Sequence, residues 1–164
     1  MLLPATALAA DSGTHIPTLE IASSAPQGTQ FRTGKYYCIA EDGITVSEAR
    51  DTANYQLYCE IDTEGRVQLT LNGAALKAAL YVPGNTTLTL IGENSIEVGT
   101  GIQVQTAGDV ALTGAGSLDI TASTEGLLNQ NGGCTVDGVT LTINSGAYAL
   151  NISGDIAVNN ASYP

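Results

Sequence analysis

Tryptophan is absent from the 164 residues, phenylalanine occurs once, and the only histidine is His15. One histidine, with no Cys-x-x-Cys spacing anywhere, argues strongly against a tetrahedral zinc site. Cysteine is scarce and odd in number. With Cys38, Cys59 and Cys134 alone, at least one thiol stays unpaired within the chain. No stretch approaches the ~20 consecutive apolar residues of a membrane-spanning helix, so membrane insertion is not expected. Positive charge is missing from the second half: Arg32, Lys35, Arg50, Arg66 and Lys77 are the only lysines and arginines. Seven carboxylates from Glu93 to Asp155 follow without a counter-charge. A net charge of −11 argues against a nucleic-acid partner and against anionic lipid.

What is present is the vocabulary of strands and tight turns. Glycine occurs 19 times, and Val, Ile, Leu and Thr dominate the second half. The stretch 87–98, TLTLIGENSIEV, returns 22 residues later as DVALTGAGSLDI. Aligned on the turn residue, Gly73, Gly92, Gly114, Gly138 and Asn160 recur at intervals of 19, 22, 24 and 22. Asparagine is the residue best able to replace glycine at positive φ, which supports Asn160 as the fifth turn. Apolar pairs precede each turn: Leu69/Leu71, Leu88/Leu90, Val110/Leu112, Cys134/Val136 and Ile156/Val158. Others follow it: Leu76, Ile96/Val98, Leu118/Ile120 and Leu141/Ile143. A third inward set is Val82, Val104, Leu128 and Leu150.

These periods predict an all-β chain, a right-handed parallel β-helix with three short strands per coil and about five coils, behind an N-terminal capping region. Residues 57–164 form the coils. Residues 11–56 are linker and cap, because open solenoid ends are exposed sheet edges that need covering. Within the cap, 34–46 reads as an irregular first rung, and 47–55 as a short helix N-capped by Ser47 or a loop. Residues 1–10, MLLPATALAA, read as the remnant of a secretory signal cleaved near Ala10. The coil pattern stops before the fifth coil's last strand, which reads as truncation of a longer surface protein. Cys134 takes an inward position, which predicts a buried free thiol. Cys38 and Cys59 fall near one coil, where a disulfide is open to them.

Three segments, GKYYCIAEDGITV, VQLTLNGAALKAALYV and NTTLTLIGENSI, resemble secreted β-helix domains of Gram-positive, gut-type bacteria. The likeness covers about 34–160. That family is similar in architecture to pectate lyases, and some members bind carbohydrate, notably acidic plant polysaccharides. The resemblance implies a secreted or cell-surface protein whose partner is a plant cell-wall or host-type polysaccharide. It carries over no ligand residues.

The outward columns supply the candidate site. Gln105, Asn129 and Asn151 form an amide column, with Tyr81 and Gln103 beside it. Amides offer sugar hydroxyls both donors and acceptors. The structural alternative is an Asn/Gln ladder bracing the rungs. Tyr81 is the aromatic platform for a sugar ring. Glu97 and Asp119, in one column with Lys77, are candidate ligands for Ca²⁺, the one cofactor the sequence leaves open. A lyase of the pectate-lyase kind needs an Arg or Lys base near a calcium-held uronate, and nothing past Lys77 supplies one. The expected function is therefore polysaccharide binding without catalysis. A structural stalk or adhesin module is the alternative, and a lyase-like enzyme a lesser one.

Overall fold

The structure, a computed structural model, describes residues 14–22 and 29–160. The signal-like residues 1–10 lie outside them. The described chain is all-β, without a helix, and winds into a β-solenoid of about four turns. Five strands precede the winding: β1 (His15–Ala22), β2 (Thr29–Arg32), β3 (Lys35–Ile39), β4 (Val46–Glu48) and β5 (Leu57–Ile61). Then come β6 (Val67–Asn72), β7 (Ala75–Leu76), β8 (Ala79–Val82), β9 (Thr86–Ile91), β10 (Glu93–Val98) and β11 (Ile102–Val104). The chain continues through β12 (Val110–Gly114), β13 (Ser117–Ala122), β14 (Glu125–Asn129), β15 (Cys134–Asp137), β16 (Thr140–Ser145), β17 (Tyr148–Ile152) and β18 (Ile156–Asn159).

Three sheets result. The eight-stranded sheet runs β18-β15-β12-β9-β6-β5-β3-β4, the four-stranded one β16-β13-β10-β7, and the six-stranded one β17-β14-β11-β8-β1-β2. Among β6–β18 themselves every pair of neighbours is parallel, as the recurring pattern required. The strands alternate strictly where one face is buried: VQLTLN of β6 and SLDITA of β13 place Val67, Leu69, Leu71, Leu118 and Ile120 inside. Gly73, Gly92 and Gly138 turn at φ near 64°, 66° and 73°, and Asn160 joins them at 49°.

Before Val67 the pairing is antiparallel. β5 returns along β6, β3 along β5, and β4 along β3. The solenoid thus begins at β6 rather than at Leu57. Since β18 supplies only the first strand of a further coil, there are about four turns instead of five. Segment 34–46 is a hairpin arm, and 47–55 holds no helix. There Asp51 Oδ1 accepts the N–H groups of Ala53 and Asn54, the local bonding that competes with a helix.

Two registers differ from expectation. Leu88 pairs with Leu112, not Val110, and Ile96 with Ile120, not Leu118, a shift of two residues. In the six-stranded sheet Leu80, Ile102, Leu127 and Leu150 stack, so Leu127 points inward and Leu128 does not.

Candidate functional site

The register shifts disperse the expected columns. Leu127 inside puts Asn129 inside as well, at 0 % exposure. Its Nδ2 donates to the carbonyls of Gly108 and Gly133, both at 3.0 Å, and its Oδ1 accepts the Asn131 N–H at 3.2 Å. Asn129 therefore braces a turn through main-chain groups, and the column Gln105–Asn129–Asn151 does not form. The row that does form is Tyr81–Gln103–Leu128–Asn151, with an apolar member among the polar ones. Gln105 is exposed beyond the end of β11. Tyr81 is only 8 % exposed, because β1 lies along β8 and Ala22, Ala79 and Val98 pack around the ring. It offers no platform, and its hydroxyl receives Gln103 Nε2 at 3.5 Å.

The two-residue shift also separates the carboxylates. Glu97 lies opposite Thr121, while Asp119 lies opposite Ser95. Diagonal positions on adjacent parallel strands are about 8 Å apart at Cα. Glu97 instead lines a shallow hollow of about 400 Å³ with Thr121 and Ser123. Among the described residues, no group of three or more His, Cys, Asp or Glu is placed to hold a metal ion.

The outer face of the eight-stranded sheet carries a different constellation. Register places Tyr36 opposite Tyr58, Tyr58 opposite Thr70, Thr70 opposite Thr89, and Thr89 opposite Thr113. All five side chains are half-buried. The inward partners of the tyrosines are Tyr37, Leu57 and Cys59, so alternation fixes the outward direction of Tyr36 and Tyr58. Their ring centroids lie 4.4 Å apart at 34°, and Tyr55 packs edge-on against Tyr36 at 4.8 Å. The Tyr55 segment is held from two sides. Asn72 Nδ2 donates to the Tyr55 carbonyl at 3.1 Å, and Cys38 Sγ to that of Asn54 at 3.3 Å. The Tyr58 hydroxyl donates to Glu60 Oε2 at 2.7 Å, and burial first, then this bond, raises its pKa.

A second row runs beside the first: Glu60, Gln68, Thr87, Ala111, Thr135 and Ala157. It borders a groove of about 250 Å³ lined by Arg66, Asn85, Thr87, Asp109 and Thr135. The polar groups here are ordered. Asp109 Oδ1 accepts the Gly133 N–H at 2.7 Å, and Arg66 bonds Asp62 and Glu64 at 3.0 Å each. The Asp62 carboxyl is held down at about 2, chiefly by the Arg66 backbone N–H. Lys35 is likewise bound to Glu48 at 3.0 Å. Chemically, the face offers stacked aromatic surface flanked by hydroxyls and amides, with its nearby cations already partnered.

Sequence reasoning missed this platform, although a signal exists. In Tyr36–Tyr37–Cys38 and Leu57–Tyr58–Cys59 a strand alternation puts one tyrosine of each segment outside, once the two are recognised as paired strands. Comparison with protein-family models, with curated proteins and with solved structures finds no match.

Proposed function

We propose that the chain is a secreted or cell-surface solenoid module that binds an extended polysaccharide along the outer face of its eight-stranded sheet, without cleaving it. The observation carrying this reading is the Tyr36–Tyr58 ring pair continued by Thr70, Thr89 and Thr113 in one straight row. Aromatic faces stack on the apolar faces of sugar rings, and hydroxyls and amides satisfy the sugar's own hydroxyls. A row that crosses successive strands suits a linear chain of sugars better than a compact ligand. The finer architecture belongs to the same reading: a right-handed coil with three strands to each turn, capped by the strands before Val67.

A neutral glycan is favoured. Lys35 and Arg66 are already paired with carboxylates, and a net charge of −11 repels an acidic polymer. An acidic glycan would need Ca²⁺ to bridge the carboxylates of both partners. Affinity electrophoresis against soluble cellulose derivatives, pectin and host-type glycans, with Ca²⁺ and with chelator, tests the proposal. Retardation on a neutral polysaccharide, abolished by Tyr36→Ala with Tyr58→Ala, is the expected result. No retardation on any polymer returns the module to a stalk. Release of unsaturated or reducing sugar makes it an enzyme.

A further inference from the structure

In four places an aspartate or asparagine is followed by glycine: Asp42–Gly43, Asn72–Gly73, Asn131–Gly132 and Asp137–Gly138. Glycine has no Cβ, so its nitrogen can approach the side-chain carbonyl carbon of the residue before it without hindrance. In three of the pairs that nitrogen is engaged. Gly43 donates to the Ala40 carbonyl at 2.9 Å, Gly73 to that of Ile91 and Gly138 to that of Asn159, both at 3.1 Å. The side chains of these pairs are held as well. Asp42 Oδ1 accepts the N–H groups of Ile44 and Thr45, Asn72 Nδ2 donates to the Tyr55 carbonyl at 3.1 Å, and Asp137 Oδ1 accepts Asn160 Nδ2 at 2.8 Å. Asn131–Gly132, in the turn between β14 and β15, differs on both counts. Asn131 is exposed, and among the described residues neither its side chain nor the Gly132 N–H has a hydrogen-bond partner.

We propose that Asn131 is a spontaneous modification site of the folded protein, deamidating through attack by the Gly132 nitrogen. Hydroxide removes the proton of that nitrogen, which then bonds to Asn131 Cγ. The Cγ–Nδ2 bond breaks, Nδ2 takes up a proton and leaves as ammonia, and a five-membered succinimide remains. One water opens the ring. Cleaving the ring nitrogen from Cγ gives an aspartyl residue, and cleaving it from the main-chain carbonyl carbon gives an isoaspartyl one. In sum a water enters, an ammonia leaves, nothing is oxidised or reduced, and one negative charge is gained. The isoaspartyl product carries the main chain through Cβ and Cγ and so lengthens it by one carbon. This turn has no room for that. The Asn131 carbonyl accepts the Gly108 N–H at 3.1 Å, the Gly132 carbonyl accepts the Gly154 N–H at 2.9 Å, and a Cβ at Gly132 would lie 2.1 Å from the Gly108 carbonyl oxygen. Three successive coils meet through those bonds, so the lengthened chain loosens the stack at this corner. The new carboxylate also joins Asp109, which accepts the Gly133 N–H, and Asp155, whose carbonyl accepts the Cys134 N–H.

Mass-spectrometric peptide mapping of the 164-residue chain tests this, after incubation at mildly alkaline pH, native and in urea. Trypsin separates Asn72, in peptide 67–77, from Asn131, in peptide 78–164, and fragmentation places the mass gain of about 1 Da within the latter. In the native chain Asn131 is expected to convert at least about tenfold faster than Asn72, whose two hydrogen bonds must open first. In urea the two rates should come within about threefold of each other. Native conversion at Asn131 should slow at acidic pH, where hydroxide is scarce. If Asn72 converts as fast as Asn131 in the native chain, the proposal is overturned. It is overturned too if native Asn131 stays intact while the urea sample converts, because the folded turn then blocks the attack. Melting separates charge from backbone length. Asn131→Asp carries the charge without the extra carbon and should melt within about 2 °C of the parent. The aged isoaspartyl fraction should melt below both. Should that fraction melt with the parent, the turn accommodates the longer chain and the loosened stack is refuted.

Discussion

Asn94 ties three consecutive rungs together, and its removal should be felt throughout the solenoid. The side chain is 3 % exposed. Its Oδ1 accepts the Ala74 N–H at 2.9 Å, and its Nδ2 donates to the carbonyls of Ile91 and Ser117, both at 3.1 Å. In Asn94→Ala the Ala74 N–H, on a residue 1 % exposed, loses its acceptor. An orphaned buried donor costs about 1–3 kcal/mol, and each remaining bond contributes about 1 kcal/mol net. The Ile91 carbonyl keeps the Gly73 N–H at 3.1 Å, which limits the further loss to about one bond. The sum is about 2–4 kcal/mol, or about 5–15 °C in melting temperature for a domain of this size. Asn94→Asp separates hydrogen bonding from volume. The new carboxylate still accepts from Ala74 but meets two carbonyl oxygens where the amide donated. Its folded pKa must rise above the unfolded ~3.9, so the penalty is absent below that pH and grows as pH increases. Urea unfolding monitored by far-ultraviolet circular dichroism, at pH 4 and pH 7, measures both effects. The exposed Asn144→Ala is the control and should stay within about 0.5 kcal/mol of the parent. If Asn94→Ala costs under 0.5 kcal/mol, or if Asn94→Asp loses nothing between the two pH values, the bracing argument fails.

Cys38 is half-exposed while Cys59 and Cys134 are buried, and all three are free, so a thiol reagent should label one cysteine in the native protein and three in denaturant. Burial pushes the Cys59 thiol up to about 12 and the Cys134 thiol up to about 11, from an ordinary 9. Stability should therefore be intact below pH 9 and fall as pH rises from 9 towards 11, because only the unfolded chain ionises there; Cys134→Ser should flatten that slope. A Cβ at Gly126 would lie 2.3 Å from Ile143 Cγ2 and 2.6 Å from the Ala149 carbonyl oxygen, so Gly126→Ala should cost about 1–3 kcal/mol in a melting experiment. Gly92→Ala meets nothing closer than 3.9 Å but must adopt φ near 66°, a cost of about 1–2 kcal/mol; equal melting temperatures for Gly92→Ala and the parent would contradict this.

The solenoid was legible because a turn, an inward pair and an outward pair recur together, and few other folds require all three at one interval. Exact register was not legible. Alternation has period two, so moving β12 by two residues along β9 leaves every apolar side chain inside; Leu88 can face Val110 or Leu112 without changing sides. Only the connecting loops distinguish the two. The error at β14 has another cause. Leu127 and Leu128 are equally apolar, and a one-residue slip exchanges the faces of a whole strand. The side chain that decides is Asn129, whose three main-chain bonds exist only in the inward position. An asparagine beside the turn residues Asn131, Gly132 and Gly133 thus meant a brace rather than a surface amide. Cys38 and Cys59 failed to meet for a related reason: Cys59 pairs with Lys35, three residues from Cys38, so the two thiols stand about 10 Å apart along the strand and on opposite faces.

The position of the tyrosine platform follows from the same geometry. Parallel rungs repeat every ~4.8 Å, and an outward column must accept that spacing at every step. Threonine does so at Thr70, Thr89 and Thr113 with a methyl and a hydroxyl each. The broad rings stand where the rungs give way to antiparallel β3 and β5, with Tyr55 leaning in from the preceding loop to buttress Tyr36. The buttress and the Tyr58–Glu60 bond hold the rings still, so little side-chain freedom would be lost on binding the proposed polysaccharide. This separates ring from hydroxyl. Tyr58→Phe keeps the face and gives up the bond to Glu60, and its retardation on a neutral polysaccharide should stay within about threefold of the parent. Tyr58→Ala removes the face and should weaken retardation by about tenfold, the range of one aromatic contact. If Tyr58→Phe loses as much as Tyr58→Ala, the hydroxyl carries the recognition and the stacking argument is wrong.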